Sequence, residues 1–310
     1  MPRTVTLYVP VYNAAQYLDR VIPSIMAQTY PLHEVLIIDD GSADDSVAVA
    51  ERHVADARYP LRIVRHPRNK GLGAARNTGV MESRSEFVAS IDADVRLEPD
   101  WLERVMEVFE ADTANEISGV GGCMEEDNDR TWADGWRATH MRQCWGPDPK
   151  DDVVFLYGSN TCYRREDAIA AGLYDERART NGEDVHISEN IHAKLKKRLK
   201  FYPLAVCHHM RRDTVRSILR TAWKWRHFAN WEAPSLIGTV KANFVNLKWF
   251  WLLFLRKDLR MRTRWSNFVL DLMYPFLTFY WDWAFIFRHY LKTMGTRSCK
   301  LQPVVQKSRS

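Results

Sequence analysis

Two pairs of carboxylates have the spacing for chemistry. Asp92-Ala-Asp94 sets two acids at i and i+2, directly after the apolar run Phe87-Val-Ala-Ser-Ile91. Side chains so placed can reach one hard cation and a neighbouring ribose together. Magnesium and manganese prefer oxygen ligands and are commonly held by one or two carboxylates plus substrate phosphates. The same residues also suit a solvated turn, and D-x-D recurs by chance. Glu183-Asp184 is the second pair. Taken alone it reads as an acidic first helical turn, favoured by the macrodipole. Asp39-Asp-Gly-Ser42 adds a carboxylate able to accept from a base N–H, with Gly41 permitting close backbone approach.

The elements that must position these residues alternate between strand and helix. Apolar β-branched runs at 4–9, 35–38, 61–64 and 87–91 predict strands. Helices are expected at 14–29, capped by Asn13; from Ser42 or Asp44 to about 57; and at 74–83. That βαβαβαβ order predicts a parallel sheet with helices on both faces, whose ligands sit at the carboxyl ends of the strands. Asp39, Asp40, Asp92 and Asp94 all fall at such ends. Beyond them the pattern predicts a helix at 100–111, a strand at 118–124, a polar stretch with one helix over 125–152, a strand at 153–157 ending at Gly158-Ser-Asn160, a helix that follows Gly182-Glu-Asp184 and runs to about 195, and a strand at 200–206.

The glycine-rich loop Asn69-Lys-Gly-Leu-Gly-Ala-Ala-Arg-Asn77 follows the third strand. A dinucleotide fingerprint should follow the first, so a nicotinamide oxidoreductase is disfavoured. Arg76 is expected to face a phosphate from the first turn of its helix.

Charge divides the chain. Residues 1–193 hold 20 Lys/Arg and 34 Asp/Glu, whereas 194–310 hold 24 and 5, together with eight of the twelve tryptophans. A basic, aromatic segment points to an anionic membrane face. The apolar stretches at 243–255 and 266–291 carry Lys248, Asp271, Pro275 and Asp282. An acid at the centre of a spanning helix costs about 2.5–3.5 kcal/mol, so helices lying in the interface are expected rather than helices crossing it. Five scattered cysteines without a C-x-x-C pair argue against a disulfide framework or a structural zinc site and suit a reducing cytosol. The N-terminal residues do not read as a signal peptide.

Read in order, Val9-Pro-Val-Tyr-Asn13, Gln28-Thr-Tyr, Asp39-Asp-Gly-Ser42, Asn69-x-Gly71, Ala75-Arg-Asn77 and Asp92-Ala-Asp94 resemble the nucleotide-binding half of family-2 glycosyltransferases, closely over 4–110 and loosely to about 230. The resemblance implies an α/β GT-A fold, Rossmann-like, with a mainly parallel sheet flanked by helices. It implies inverting transfer of a sugar from a nucleotide diphosphate, UDP-sugar favoured, with Mn2+ or Mg2+ as cofactor. Tyr12 would stack on the base, with Pro10 and Asn13 beside it, and Asp39 would pair with the base. Asn69, Gly71, Arg76, Asp92 and Ala93 would line the nucleotide, with Asp92 on the ribose side. Asp94 would hold the metal, with His208 or His209 assisting. Gly158, Ser159 and Asn160 would line sugar and acceptor, and of Glu183 and Asp184 the aspartate would be the base.

The expected organisation is a catalytic domain over 1–212, comprising a nucleotide half (1–110) and an acceptor half (111–212). A basic aromatic helical extension at the membrane interface follows over 213–294, then a disordered tail over 295–310. The Q-x-x-R-W motif of processive members is absent; the nearest stretch is Arg220-Thr-Ala-Trp-Lys-Trp-Arg226. A non-processive enzyme is therefore expected, peripheral or monotopic on the cytoplasmic side of a membrane, acting on a glycan or lipid-linked acceptor in polysaccharide or glycoconjugate synthesis, with no nucleic-acid partner. The alternative is a non-catalytic nucleotide-sugar-binding or scaffold protein on the same fold.

Overall fold

A computed structural model describes residues 3–127, 131–177, 181–228, 240, 243, 244, 247, 256–261 and 264–298. The chain divides into two compact units, Met1–Asp213 and Thr214–Ser310.

The first unit is built on one eight-stranded sheet: β1 (Val5–Val11), β2 (Glu34–Asp39), β3 (Leu61–Arg65), β4 (Phe87–Ile91), β5 (Val95–Leu97), β6 (Ile117–Glu126), β7 (Asn160–Arg164) and β8 (Arg198–His209). Their order is β3-β2-β1-β4-β7-β6-β8-β5. The first four in that order are mutually parallel. β7 runs antiparallel to both β4 and β6, and β8 parallel to β6. Every residue of β1, β2 and β4 is buried, as expected of strands covered on both faces.

Alternation along the strands sends side chains into two core layers. Val5, Leu7 and Val9 face α1 (Ala15–Met26) and α4 (Trp101–Ala111). Tyr8, Leu36 and Val88 face α3 (Leu72–Glu82) and α7 (Glu183–Asn190). Helix α3 lies close on β1 because position 79 lacks a side chain: a Cβ there would come within 2.4 Å of the Tyr8 ring. The remaining helices of this unit are α2 (Ser46–Arg52), α5 (Trp132–His140) and α6 (Arg165–Ala171), and α7 runs on into a π turn over Ile191–Leu195.

Several expectations are corrected. Residues 153–157 form no strand; the strand begins at Asn160. Their apolar side chains serve another purpose, since Val153 and Leu156 enter the core while Val154 is exposed. Asn13 does not cap α1. It adopts a left-handed φ of 51°, and its Oδ1 accepts the Ala43 amide at 2.8 Å, tying the end of β1 to the loop after β2. Helix α2 ends at Arg52 rather than near 57. Cys123 and Cys144 form a disulfide. Met124 N donates to Gln143 O at 3.1 Å, so the segment after α5 returns alongside β6 and brings together two cysteines 21 residues apart.

In the second unit the described helices are α8 (Val215–Phe228), α9 (Arg256–Met261) and α10 (Trp265–Ser298). Residues 295–298, expected in a tail, continue α10; 299–310 and most of 243–255 lie outside the described residues. Asn267, Asp271, Thr278 and Asp282 of α10 are buried, while Phe276, Phe279, Tyr280 and Phe287 are more than half exposed. Trp223 Nε1 of α8 donates to Asp282 Oδ1 at 2.6 Å. No helix among the described residues is long and apolar enough to cross a membrane.

Candidate active site

The carboxyl ends of β1, β2 and β4 carry the first group of candidate residues. Pro10 is buried in β1, and Tyr12 just beyond it is 52% exposed, leaving a free aromatic surface at the strand end. Asp39 closes β2 and is buried; its Oδ1 accepts the Ser42 amide at 3.1 Å, while its Oδ2 has no hydrogen-bond partner, Arg65 Nε lying 3.7 Å away. A buried carboxylate oxygen without a donor is costly, and a ligand N–H would satisfy it. Asp40 does different work: it accepts the amides of Lys70 and Gly71 at 2.8 Å each and meets His66 Nδ1 at 2.7 Å, so it holds the Asn69–Gly71 loop against the strand ends. Gly41 turns with φ 73°, and a Cβ there would come within 2.7 Å of the Arg68 backbone.

Arg76 is at the centre of the site but not where a phosphate contact would put it. Helix α3 starts at Leu72, so Arg76 stands beyond the first turn and points inward, 1% exposed. Its Nη1 donates to Gly158 O at 2.6 Å and Ser90 Oγ at 2.5 Å, its Nη2 to Asp92 Oδ1 at 2.8 Å and its Nε to Glu183 Oε1 at 3.2 Å. Burial opposes its charge, yet Asp92 and Glu183 outweigh that and raise its pKa, so it stays a cation. The expected diphosphate contact is corrected: the guanidinium is consumed in joining the two carboxylate pairs.

Glu183 and Asp184 open α7 after Gly182, which takes the left-handed φ of 91°. Burial, then the neighbouring Asp184, pushes the Glu183 carboxyl up to about 7 against the pull of Arg76. Its Oε2 is buried without a hydrogen-bond partner. Burial also raises Asp184, although the Gly158 amide donates to its Oδ2 at 3.1 Å and the Val185 amide to its Oδ1 at 2.9 Å. Of the stretch 158–160, Gly158 therefore belongs to the carboxylate cluster through its backbone. Ser159 is buried and donates to Gln143 Oε1 at 2.5 Å; Asn160 is buried and accepts from Trp101 Nε1 at 2.7 Å, behind the site.

Asp92, Ala93 and Asp94 make the turn between β4 and the short β5, closed by Val95 N donating to Asp92 O at 3.0 Å. Burial raises Asp92. Burial acts on Asp94 in the same sense, but His209 reverses it and holds the carboxyl low. His209 Nε2 lies 3.5 Å from Asp94 Oδ2 and its Nδ1 lies 2.8 Å from Glu126 Oε2. Burial opposes the imidazolium, but these two carboxylates lift its pKa to about 9. The two histidines part company. His208 points the other way, with Nε2 2.7 Å from Glu98, because successive strand residues face opposite sides of a sheet. His208 is thereby removed from the expected metal set. Two cis ligands held about 2.1 Å from an octahedral cation lie about 3.0 Å apart, so Asp94 and His209 suit a shared cation with little movement.

Glu126 and Arg211 were not foreseen from sequence. Arg211 exerts a favourable field on Asp94 and is 43% exposed, leaving it accessible to an anion. A basic residue two places after a strand-end histidine was the available signal; for Glu126 there was none.

Residues 6–172 match Glycosyl transferase family 2. The chain is similar to the putative glycosyltransferase EpsH of Bacillus subtilis, 37% identical over 169 residues, which are 52% of this chain and 47% of that relative; it thus spans about half of the relative's length. In fold it is similar to the mannosyltransferase PcManGT of Pyrobaculum calidifontis, solved with GDP-Man and Mn2+, at TM-score 0.59 and 18% identity over 91% of this chain and 88% of that one. It is also similar to S. aureus TarS residues 1–349 with UDP-GlcNAc, at TM-score 0.54 and 17% identity over 80% and 73%. With more than half its length matched, a mixed sheet of the expected kind and acidic clusters at the strand ends, the chain belongs to the family-2 glycosyltransferases and has the GT-A fold.

Proposed function

We propose that the protein is an inverting, metal-dependent glycosyltransferase that moves a sugar from a UDP-sugar to a glycan or lipid-linked acceptor. The carrying observation is the Arg76-centred cluster, in which Asp92 on the donor side and Glu183 beside Asp184 share one buried guanidinium. Tyr12 would stack on the base, and Asp39 Oδ2 would take its ring N–H. Asp92 would hold the ribose side.

Asp184 is the base. Two backbone amides orient its carboxylate, and its raised pKa makes it a better proton acceptor than an ordinary aspartate. The acceptor hydroxyl gives its proton to Asp184 as the oxygen bonds to the anomeric carbon. The carbon–oxygen bond to the diphosphate breaks on the opposite face, and its electron pair leaves with the nucleotide, which inverts the anomeric configuration. Glu183, buried behind Asp184, supports the position of the pair rather than the proton transfer. Asp94 and His209 would hold Mn2+ or Mg2+, which supplies positive charge against the leaving diphosphate.

The exposed aromatic face of α10 and the basic character of 214–310 support work at an anionic membrane surface, on its cytoplasmic side. An acceptor used in cell-surface polysaccharide or glycoconjugate synthesis suits that setting.

Asp184→Asn tests the assignment. Transfer should fall by about 10²–10⁴-fold while UDP affinity by calorimetry stays within a few-fold. Near-normal turnover would place the base elsewhere. Asp94→Ala should also abolish turnover, but with weakened Mn2+ binding as well.

A further inference from the structure

Glu126 is the last residue of β6 and His209 the last of β8, and the two stand opposite each other in the parallel register of those strands. Glu126 Oε2 is 2.8 Å from His209 Nδ1, with the two side chains 9% and 6% exposed. The backbone secures both ends of the contact: Asp127 N donates to His209 O at 2.9 Å, and Met210 N donates to Asp94 O at 2.8 Å. The ring consequently has one orientation, Nδ1 on Glu126 and Nε2 facing Asp94 at 3.5 Å. A divalent cation would displace the proton that Nε2 turns toward Asp94, while the Nδ1–H donated to a carboxylate stays in place and strengthens the freed Nε2 lone pair as a ligand. His208 supplies the contrast. It is the adjacent residue and the same chemical type, but Glu98 holds its Nε2, so no ring nitrogen of it is presented to Asp94.

We infer that Glu126 is the positioning residue of the metal centre: it sets the tautomer and direction of His209 so that Nε2 and Asp94 converge on one divalent cation. The inference rests on the proposal that Asp94 and His209 bind that cation. It also distinguishes Glu126 from a plain ion-pair partner, because its effect should be read on the metal and not only on stability.

The experiment compares the full chain with Glu126→Leu and Glu126→Gln. Mn2+ is titrated calorimetrically in the presence of UDP, and nitrogen coupling to bound Mn2+ is read by pulsed paramagnetic resonance. The wild type should show coupling from one imidazole. Glu126→Leu, which cannot accept Nδ1–H, should bind Mn2+ about 10–100-fold more weakly and lose or alter that coupling, with metal-free UDP affinity unchanged. Glu126→Gln, whose carbonyl oxygen still accepts, should recover most of the affinity. If Glu126→Leu does not fold, Glu126→Asp replaces it, since the shorter chain withdraws the carboxylate from the 2.8 Å contact. Wild-type affinity and coupling in the variant tested would overturn the role of Glu126 while leaving the metal site standing. A wild type that binds no Mn2+, or binds it without nitrogen coupling, would instead overturn the metal assignment on which the inference rests.

Discussion

The first unit and helix α10 of the second differ in where they place large apolar side chains and acids. In the first, Leu7, Ile22, Ile37 and Trp101 are fully buried to within 1%, and the acids of the candidate site stand at the strand ends and at the start of α7. In α10 of the second, Asn267, Asp271 and Asp282 are buried, while Phe276 is 77%, Phe287 66% and Tyr280 64% exposed. Exposed apolar side chains scattered singly need no explanation, but a helix face of them does. The first unit gathers its candidate chemistry at one edge of its sheet. The apolar face of α10 is the feature on which the proposed membrane contact rests. Residues 214–310 carry 17 Lys/Arg against 4 Asp/Glu, which suits an anionic lipid headgroup layer around such a face.

The buried charges of the first unit give the largest expected effect. Arg76→Met would leave Glu183, 3% exposed, and Asp92 without their shared cation. Breaking a buried pair from one side typically costs about 3–5 kcal/mol. Chemical denaturation should show that loss in the unfolding of the first unit, and UDP affinity should fall as Asp92 loses its anchor. A loss below about 1 kcal/mol, typical of an exposed pair, would mean that the cluster is less buried than its geometry indicates, and the contrast between the units would weaken.

The strands and the ligand edge were legible in the sequence because they rest on local signals. Mainly apolar runs bounded by turn residues marked β1, β2 and β4 to within two residues at either end, and D-x-D at the end of the fourth run marked the edge itself. What was not legible depends on contacts between distant segments. Arg76 reads as a phosphate ligand in its glycine-rich loop; only the meeting of β4, Gly158 and α7 shows that its bonds are already taken. His208 and His209 are indistinguishable in a sequence, and strand alternation separates them. The Cys123–Cys144 bridge follows from a return of the chain after α5 that no spacing rule announces. The strand expected over residues 153–157 fails for a related reason: Val153 and Leu156 make the run look strand-like, yet they reach the core from an irregular segment.

Acidity in the first unit yields a pH prediction of intermediate size. Glu183 has its folded pKa raised from 4.5 to about 7 by burial and by Asp184. A carboxyl of that kind binds its proton more tightly folded than unfolded. Its favourable contribution is therefore complete below 4.5 and is lost as pH rises through 7, by roughly 3 kcal/mol in all. Glu183→Gln, neutral throughout, should flatten that part of the stability profile between about pH 4.5 and 7. A variant whose stability keeps the wild-type slope across that window would assign the slope to other groups.

The smallest expected effect bears most directly on the contrast. Phe276 and Phe279 are 77% and 55% exposed on α10, so replacing both by Ser removes apolar surface without opening a core cavity. If that face enters the headgroup boundary, binding to phosphatidylserine-containing vesicles should fall about tenfold, or ~1.4 kcal/mol, a fraction of the ~1.5–3 kcal/mol that full burial of each side chain would supply. Binding should also weaken with added salt, because basic residues near an anionic surface act over about 8–10 Å at moderate ionic strength. Val154 and Leu204 are 66% and 56% exposed in the first unit and provide the control. Changing both to Ser should leave vesicle binding unaltered. Equal losses from the two double variants would mean that exposed apolar side chains of either unit act alike, and the contrast between the first unit and α10 would fail.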